Sequence, residues 1–215
     1  MCIYCGNHLP QESKVEQSSK TTFDLQNATR LLEEIKKYET GILAINSANE
    51  LLKLLVVELN KVKIKTIELP PDMFSPDVLT SGIALMHVCD AAVEELEVRG
   101  LIVESEKASR LAIGFAGQIL GHYPQDVFPL VYRNGQLCEK ITKTETAISR
   151  YMAIIRDFKQ MGLIESILNN GSSLNESDRI ILETVKSSID RINTLQSSPD
   201  DDLIELSNKI VGKLV

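Results

Sequence analysis

The chain has 215 residues, of which 43% are hydrophobic, so it is long and apolar enough to form a hydrophobic core of its own. Its formal net charge of −7 at pH 7 disfavours general binding to nucleic acid or to an anionic membrane surface, because both need a basic face. The chain has only four cysteines, and its first residues do not have the pattern of a basic, apolar leader. Both features favour a protein of the reducing cytoplasm over a disulfide-bonded secreted one.

The first residues have the spacing of a metal site. Cys2 and Cys5 lie three positions apart, Gly6 follows the second thiol, and His8 comes three residues after Cys5. Two thiolates at this spacing can bind one zinc ion, and a glycine allows the positive φ that closes such a turn. Residues 1–10 resemble the first knuckle of a short zinc ribbon. We predict a zinc site at Cys2, Cys5 and His8, with its fourth ligand from a distant part of the chain, from a carboxylate or from another subunit.

Residues 11–21 contain one apolar side chain, Val15, and cannot bury enough surface to offset the entropy of ordering them. We therefore expect a flexible linker at 11–21 that joins the zinc-binding segment to a helical domain at 22–215.

The helical domain is expected to be an all-α multi-helix bundle. Apolar side chains recur at helical spacing in seven ranges, and their amphipathic faces are typical of antiparallel helices that share a core. Residues 78–93 are apolar nearly all round, which predicts a buried central helix. The expected helices run over approximately 22–38, 47–61, 76–99, 105–121, 143–169, 176–196 and 199–214.

Capping signals support several of these boundaries. Ser75 before Pro76 and Asn175 three residues before an acid predict helix starts, as do Ser47 and Thr142. Gly100 and Gly162 each follow an amphipathic run and precede a leucine, which predicts helix ends with a left-handed glycine.

One short β-hairpin is expected near residues 129–140. Asn134-Gly135 stands between two short alternating runs, and this dipeptide is the strongest local signal for a tight hairpin turn. Residues 62–69 also alternate over a few positions and admit a strand.

Asp90, Glu94 and Glu97 place three carboxylates on one face of a helix, since they are four and three residues apart. This face resembles the Mg²⁺-binding helices of all-α nucleotide pyrophosphohydrolases. The resemblance implies a metal-dependent hydrolase acting on nucleotides.

Two further alternatives rest on the N-terminal thiols. A Cys-x-x-Cys motif with a nearby histidine on a helical scaffold resembles the alkylhydroperoxidase D-type family, which implies thiol redox chemistry. Cys2 behind a removable Met1 also resembles the amidotransferases that begin Met-Cys-Gly, although Ile3 stands here in place of that glycine.

The sequence therefore favours a cytoplasmic helical module for protein–protein interaction or regulation, with zinc at its N-terminus. We expect its partner to be another protein or a second copy of the chain. The hydrolase and the redox protein remain as alternatives.

Overall fold

The computed structural model describes residues 23–38, 41–67, 69–120, 124–171, 173–198 and 200–215. Within these ranges the chain is helical and contains no strand, which confirms the predicted all-α bundle. It forms nine α-helices rather than about seven: α1 Leu25–Lys37, α2 Ile42–Thr66, α3 Pro76–Val98, α4 Ile102–Ile119, α5 Pro124–Lys140, α6 Thr144–Gln160, α7 Leu163–Asn169, α8 Glu176–Leu195 and α9 Asp201–Leu214. A 3₁₀ turn at Pro71–Met73 precedes α3.

The hairpin predicted near 129–140 is wrong, because this segment is the helix α5. Asn134 and Gly135 lie in the middle of α5, and both are buried. The Asn134 side-chain amide donates to the main-chain carbonyl of Glu106 on α4, at 3.4 Å. Packing against α4 and α6 therefore overrides the local turn preference of Asn-Gly.

Two other boundaries differ from those predicted. The range 143–169 is two helices, because Gly162 adopts φ 67° and separates α6 from α7. α2 begins at Ile42, so Ser47 lies inside the helix instead of capping it. α2 also continues to Thr66, which rules out a strand over residues 62–66.

The capping predictions at α3 and α8 are confirmed. The Ser75 hydroxyl accepts the N–H of Val78 at 3.4 Å, and Asn175 Oδ1 accepts the N–H of Asp178 at 2.8 Å. Gly100, with φ 72°, ends α3, and the next N–H returns to the carbonyl of Leu96 at 2.9 Å. This is the predicted left-handed glycine ending.

Thr142 does not begin a helix as predicted, but closes α5. It has φ 59°, a conformation that strains a β-branched residue. The N–H groups of Thr142 and Lys143 return to the carbonyls of Glu139 and Cys138, at 3.0 and 2.8 Å. This turn brings the Lys143 ammonium within 3.4 Å of the Glu106 carboxylate on α4.

Two hydrophobic cores lie side by side along the chain. The first is built on α1 to α4, with the predicted central helix α3 packed against the other three. The second is built on α5 to α9. α5 supplies Leu137 to the first core and Cys138 and Phe128 to the second, so it is the helix that the two cores share.

We expect Gly135→Ala to destabilise the protein, because a Cβ at Gly135 would lie 2.7 Å from Cε1 of the fully buried Tyr151. Overpacking of this kind costs about 1–3 kcal/mol, against a helix-propensity gain of about 0.5–1 kcal/mol. The free energy of unfolding, measured by urea denaturation, should fall by about 1–2 kcal/mol.

Gly117→Ala is the matched control, since Gly117 is also helical but a Cβ there meets nothing within 4 Å. This variant should be stabilised by about 0.5–1 kcal/mol. Equal effects of the two substitutions would contradict the close approach of α5 and α6 at Gly135.

Candidate functional site

An open groove of about 500 Å³ lies between α5 and α8, and we call it the α5–α8 groove. Both helices pack against α6, which forms the support beneath the groove. Its apolar surface is formed by Phe128, Tyr132, Phe158, Ile180 and Ile181. The volume falls within the range of about 300–1,000 Å³ that is typical of ligand sites.

Helical spacing explains why these side chains meet. Phe128 and Tyr132 are four residues apart on α5 and so lie on one face of the helix. Phe158 of α6 forms the floor, with its ring centroid 3.9 Å from that of Phe128. Ile181 is buried on the opposite wall, whereas its neighbour Ile180 is 54% exposed. The groove thus offers an apolar floor and an exposed apolar edge.

The rim of the groove is polar. Arg133 and Glu183 supply one charge of each sign, and Ser177, Thr184 and Ser187 supply hydroxyl groups. An apolar centre with a polar rim is the usual anatomy of a protein-binding surface.

Arg133 is also bound to α3. Its guanidinium lies 3.9 Å from Asp90 Oδ1, 3.5 Å from Glu94 Oε1 and 3.3 Å from Glu97 Oε2. Lys140, two turns further along α5, forms an ion pair with Glu97 as well. The three carboxylates share one face of α3 as the sequence indicated, and two cations of α5 are bound to that face.

These two cations lower the pKa of Glu97. The hydrogen bond from Lys140 holds the pKa of the Glu97 carboxyl below its usual value, and the hydrogen bond from Arg133 acts in the same direction. Glu97 is therefore a charged link between α3 and α5.

A buried polar cluster lies where α4, α5 and α6 meet. The Glu106 side chain is only 2% exposed and pairs with Arg110 at 3.0 Å and with Lys143 at 3.4 Å. The thiol of Cys138 lies 4.0 Å from the same carboxylate. Burial, reinforced by the charge of Glu106, raises the pKa of Cys138, so this thiol is a poor nucleophile.

A second, partly buried polar link joins α5 to α6 and α8. The Tyr151 hydroxyl donates to Glu139 Oε1 at 2.5 Å, and Arg191 of α8 lies 3.4 Å from the same oxygen. Burial raises the pKa of Tyr151, and the hydrogen bond to Glu139 adds to this shift. Tyr151 is therefore a protonated donor, and Glu139 of α5, which accepts from it and pairs with Arg191, joins α5 to both α6 and α8.

The residues predicted to bind zinc, Cys2, Cys5 and His8, lie outside the described residues. The other two cysteines of the chain, Cys89 and Cys138, are buried in the two cores. In the part of the chain that the structure describes, no group of three or more His, Cys, Asp or Glu side chains is arranged to hold a metal ion.

The α5–α8 groove was not predicted from the sequence. The available signal was the four-residue spacing of Phe128, Tyr132 and Gln136, which predicts a helical face. The Asn-Gly dipeptide led instead to the prediction of a hairpin over the same range. The polar partners of α5, which come from α3, α4 and α6, have no signal at short sequence separation.

No known family model matches the chain, and a search of curated proteins found no significant match. Among the described helices, none combines the length and the apolar content needed to cross a membrane.

We expect Glu97→Gln to remove a pH-dependent part of the stability. Because the pKa of Glu97 is lowered in the folded state, its contribution is complete above the unfolded value of about 4.3. It is lost as the pH falls through the lower folded value. Urea unfolding between pH 7 and pH 2 should show the wild type losing its advantage over Glu97→Gln across this acidic range.

Lys140→Met supplies the control, because it removes the first cause of the shift while leaving the carboxylate in place. In that background, Glu97→Gln should change the pH dependence less. An unaltered pH dependence in Glu97→Gln would show that the ion pairs contribute no linked stability.

Proposed function

We propose that the protein is a helical protein-binding module whose α5–α8 groove takes an apolar helical segment of a partner protein. The observation that carries this proposal is the groove itself, with an aromatic floor at Phe128 and Phe158 and an exposed edge at Ile180. Apolar surface of this kind, rimmed by polar groups, marks interaction sites on protein surfaces.

A helix is the form of ligand that fits an open trough between two helices. An amphipathic helix buries side chains spaced three and four residues apart into such a groove. The hydroxyls on α8 and the polar side chain of Gln136 can bind the polar edge of that helix. This proposal agrees with the interaction module that the sequence favoured.

The hydrolase alternative draws less support from the geometry. A Mg²⁺ ion at Asp90, Glu94 and Glu97 would have to displace Arg133 and Lys140 from their carboxylates. Breaking these pairs adds a cost to metal binding that an open acidic site does not have.

Zinc binding at Cys2, Cys5 and His8 is the second part of the proposal and rests on the sequence motif alone. Three ligands leave one tetrahedral position open, so we propose that a partner or a second copy completes the site. The purified full chain should contain zinc, and chelation should convert a complex or dimer to monomer without loss of helicity. The double variant Cys2→Ser/Cys5→Ser should lack the metal, and zinc retained by it would refute this assignment.

We expect the groove to select apolar helices from a displayed library of randomised amphipathic peptides. Labelled peptides from this selection should lose at least about tenfold in affinity, or about 1.4 kcal/mol, for Ile180→Asp in fluorescence anisotropy. The reason is that a carboxylate at this edge must be desolvated when the peptide binds.

Val98→Asp is the matched control. Like Ile180, Val98 is an exposed, β-branched apolar side chain, but it lies at the end of α3. Circular dichroism checks that both variants keep the helical fold. Selected peptides that bind wild type and Ile180→Asp equally would refute the groove as the binding site.

A further inference from the structure

A second groove, between α2 and α4, has a different chemistry from the first. It has a volume of about 420 Å³, and Leu52, Val56 and Leu111 form its apolar floor. Lys53 of α2 and Lys107 and Arg110 of α4 line it as well. We call it the α2–α4 groove.

The two helices that form this groove are parallel and held close together. Leu59 of α2 lies against Gly114 of α4, where a Cβ would meet its side chain at 2.8 Å. At the C-terminal ends of both helices, the Thr66 hydroxyl donates to Gln118 Oε1 at 3.1 Å. The groove therefore has two firmly packed walls.

An exposed apolar stripe continues from the groove along α2. Val56, Ile64 and Ile67 are 46%, 71% and 67% exposed, and Asn60 stands between them. The positions 56, 60 and 64 are four residues apart, so they form one seam along α2, and Ile67 follows directly after the last helical residue. A seam with this spacing fits the apolar face of another helix.

Positive charge is concentrated along this seam, although the whole chain has a net charge of −7. Lys53 and Lys63 lie on this side of α2, are exposed and form no ion pair within the described residues. Between Glu50 and Glu68 the one acidic side chain is Glu58, which is 1% exposed. On the α4 side, Lys107 lies 3.9 Å from Glu104 and Arg110 lies 3.0 Å from Glu106, so the cations of this surface without an acidic partner come from α2.

We propose that the α2–α4 groove and its seam bind an amphipathic helix of a partner protein that carries acidic residues beside its apolar stripe. The apolar floor accepts the stripe, and Lys53 and Lys63 of α2 pair with the flanking carboxylates. A second copy of α2 fits poorly, because it would bring lysines against lysines. A membrane surface fits poorly because the seam is narrow and is interrupted by Asn60.

The test uses a displayed library of helices with a fixed leucine stripe and flanking positions randomised between Glu, Gln and Lys. Helices of about 18 residues, roughly 27 Å long, span the groove and the seam. Selection on the wild-type chain should enrich Glu over Lys at the flanks by at least about tenfold. The affinity of the selected peptides should fall by at least about tenfold when Val56 is replaced by Asp, since this places a carboxylate on the apolar floor.

Reversing the charge of the seam lysines tests directly whether they select acidic ligands. In Lys53→Glu/Lys63→Glu the preference should invert, and peptides flanked by Lys should become the tighter ligands. The double variant Lys37→Glu/Lys159→Glu has the same net charge but alters exposed lysines elsewhere, so it should keep the preference for Glu. Ile180→Asp should also leave these peptides bound, which separates this surface from the α5–α8 groove.

Three results would overturn the proposal. One is selection without a preference for Glu, and another is a preference that survives Lys53→Glu/Lys63→Glu. The third is binding to vesicles of mixed phosphatidylcholine and phosphatidylserine that depends on Val56 and Lys63, because this would assign the surface to a membrane. Circular dichroism of each variant ensures that a loss of binding is not a loss of fold.

Discussion

One helix, α5, has to face two hydrophobic cores at once, and most of the architecture follows from this constraint. Neighbouring residues serve different cores, since Leu137 packs with α1 to α4 and Cys138 packs with α6 to α9. Gly135 lets the Tyr151 ring of α6 approach the α5 backbone directly. Because α6 is fixed so closely to α5 and also supports α8, a groove remains between α5 and α8.

Polar side chains complete the role of α5 in joining the two halves. Asn134 is fully buried, and it donates to the α4 backbone while its Oδ1 accepts from Arg150 at 2.9 Å. Lys143 reaches the buried carboxylate of Glu106 only because Thr142 turns the chain in a left-handed conformation. The strained backbone of Thr142 is thus kept in the conformation that brings Lys143 to the buried Glu106 carboxylate. This indicates that the junction has little freedom to rearrange.

The sequence was sufficient for helices whose signals are local. α3 and α8 begin at capped residues, Ser75 and Asn175, and carry continuous apolar faces, so composition and spacing specify them. α5 could not be predicted in this way, because the Asn-Gly dipeptide favours a turn in isolation. Its partners, Glu106 and Tyr151, are 28 and 16 residues away from these positions in the chain, and only the folded bundle brings them together.

The same distinction applies to the candidate sites. The spacing of Asp90, Glu94 and Glu97 fixes a common face on α3, but it says nothing of Arg133 and Lys140, which neutralise that face from α5. A groove between helices is even harder to predict from sequence, because the sequence of each wall has the pattern of an ordinary amphipathic helix. Only the packing of α5 and α8 on a shared neighbour shows that part of each apolar face stays uncovered.

The two grooves would select their ligands through different interactions. Arg133 is held by the carboxylates of α3, so shape and apolar anchors must dominate selection in the α5–α8 groove. Lys53 and Lys63 have no such partners among the described residues, so charge can select ligands along α2. The overall charge of −7 does not prevent an acidic helix from binding there. Distant charges are largely screened beyond about 8 Å at physiological salt, whereas the lysines act at contact, where the neighbouring apolar floor excludes water.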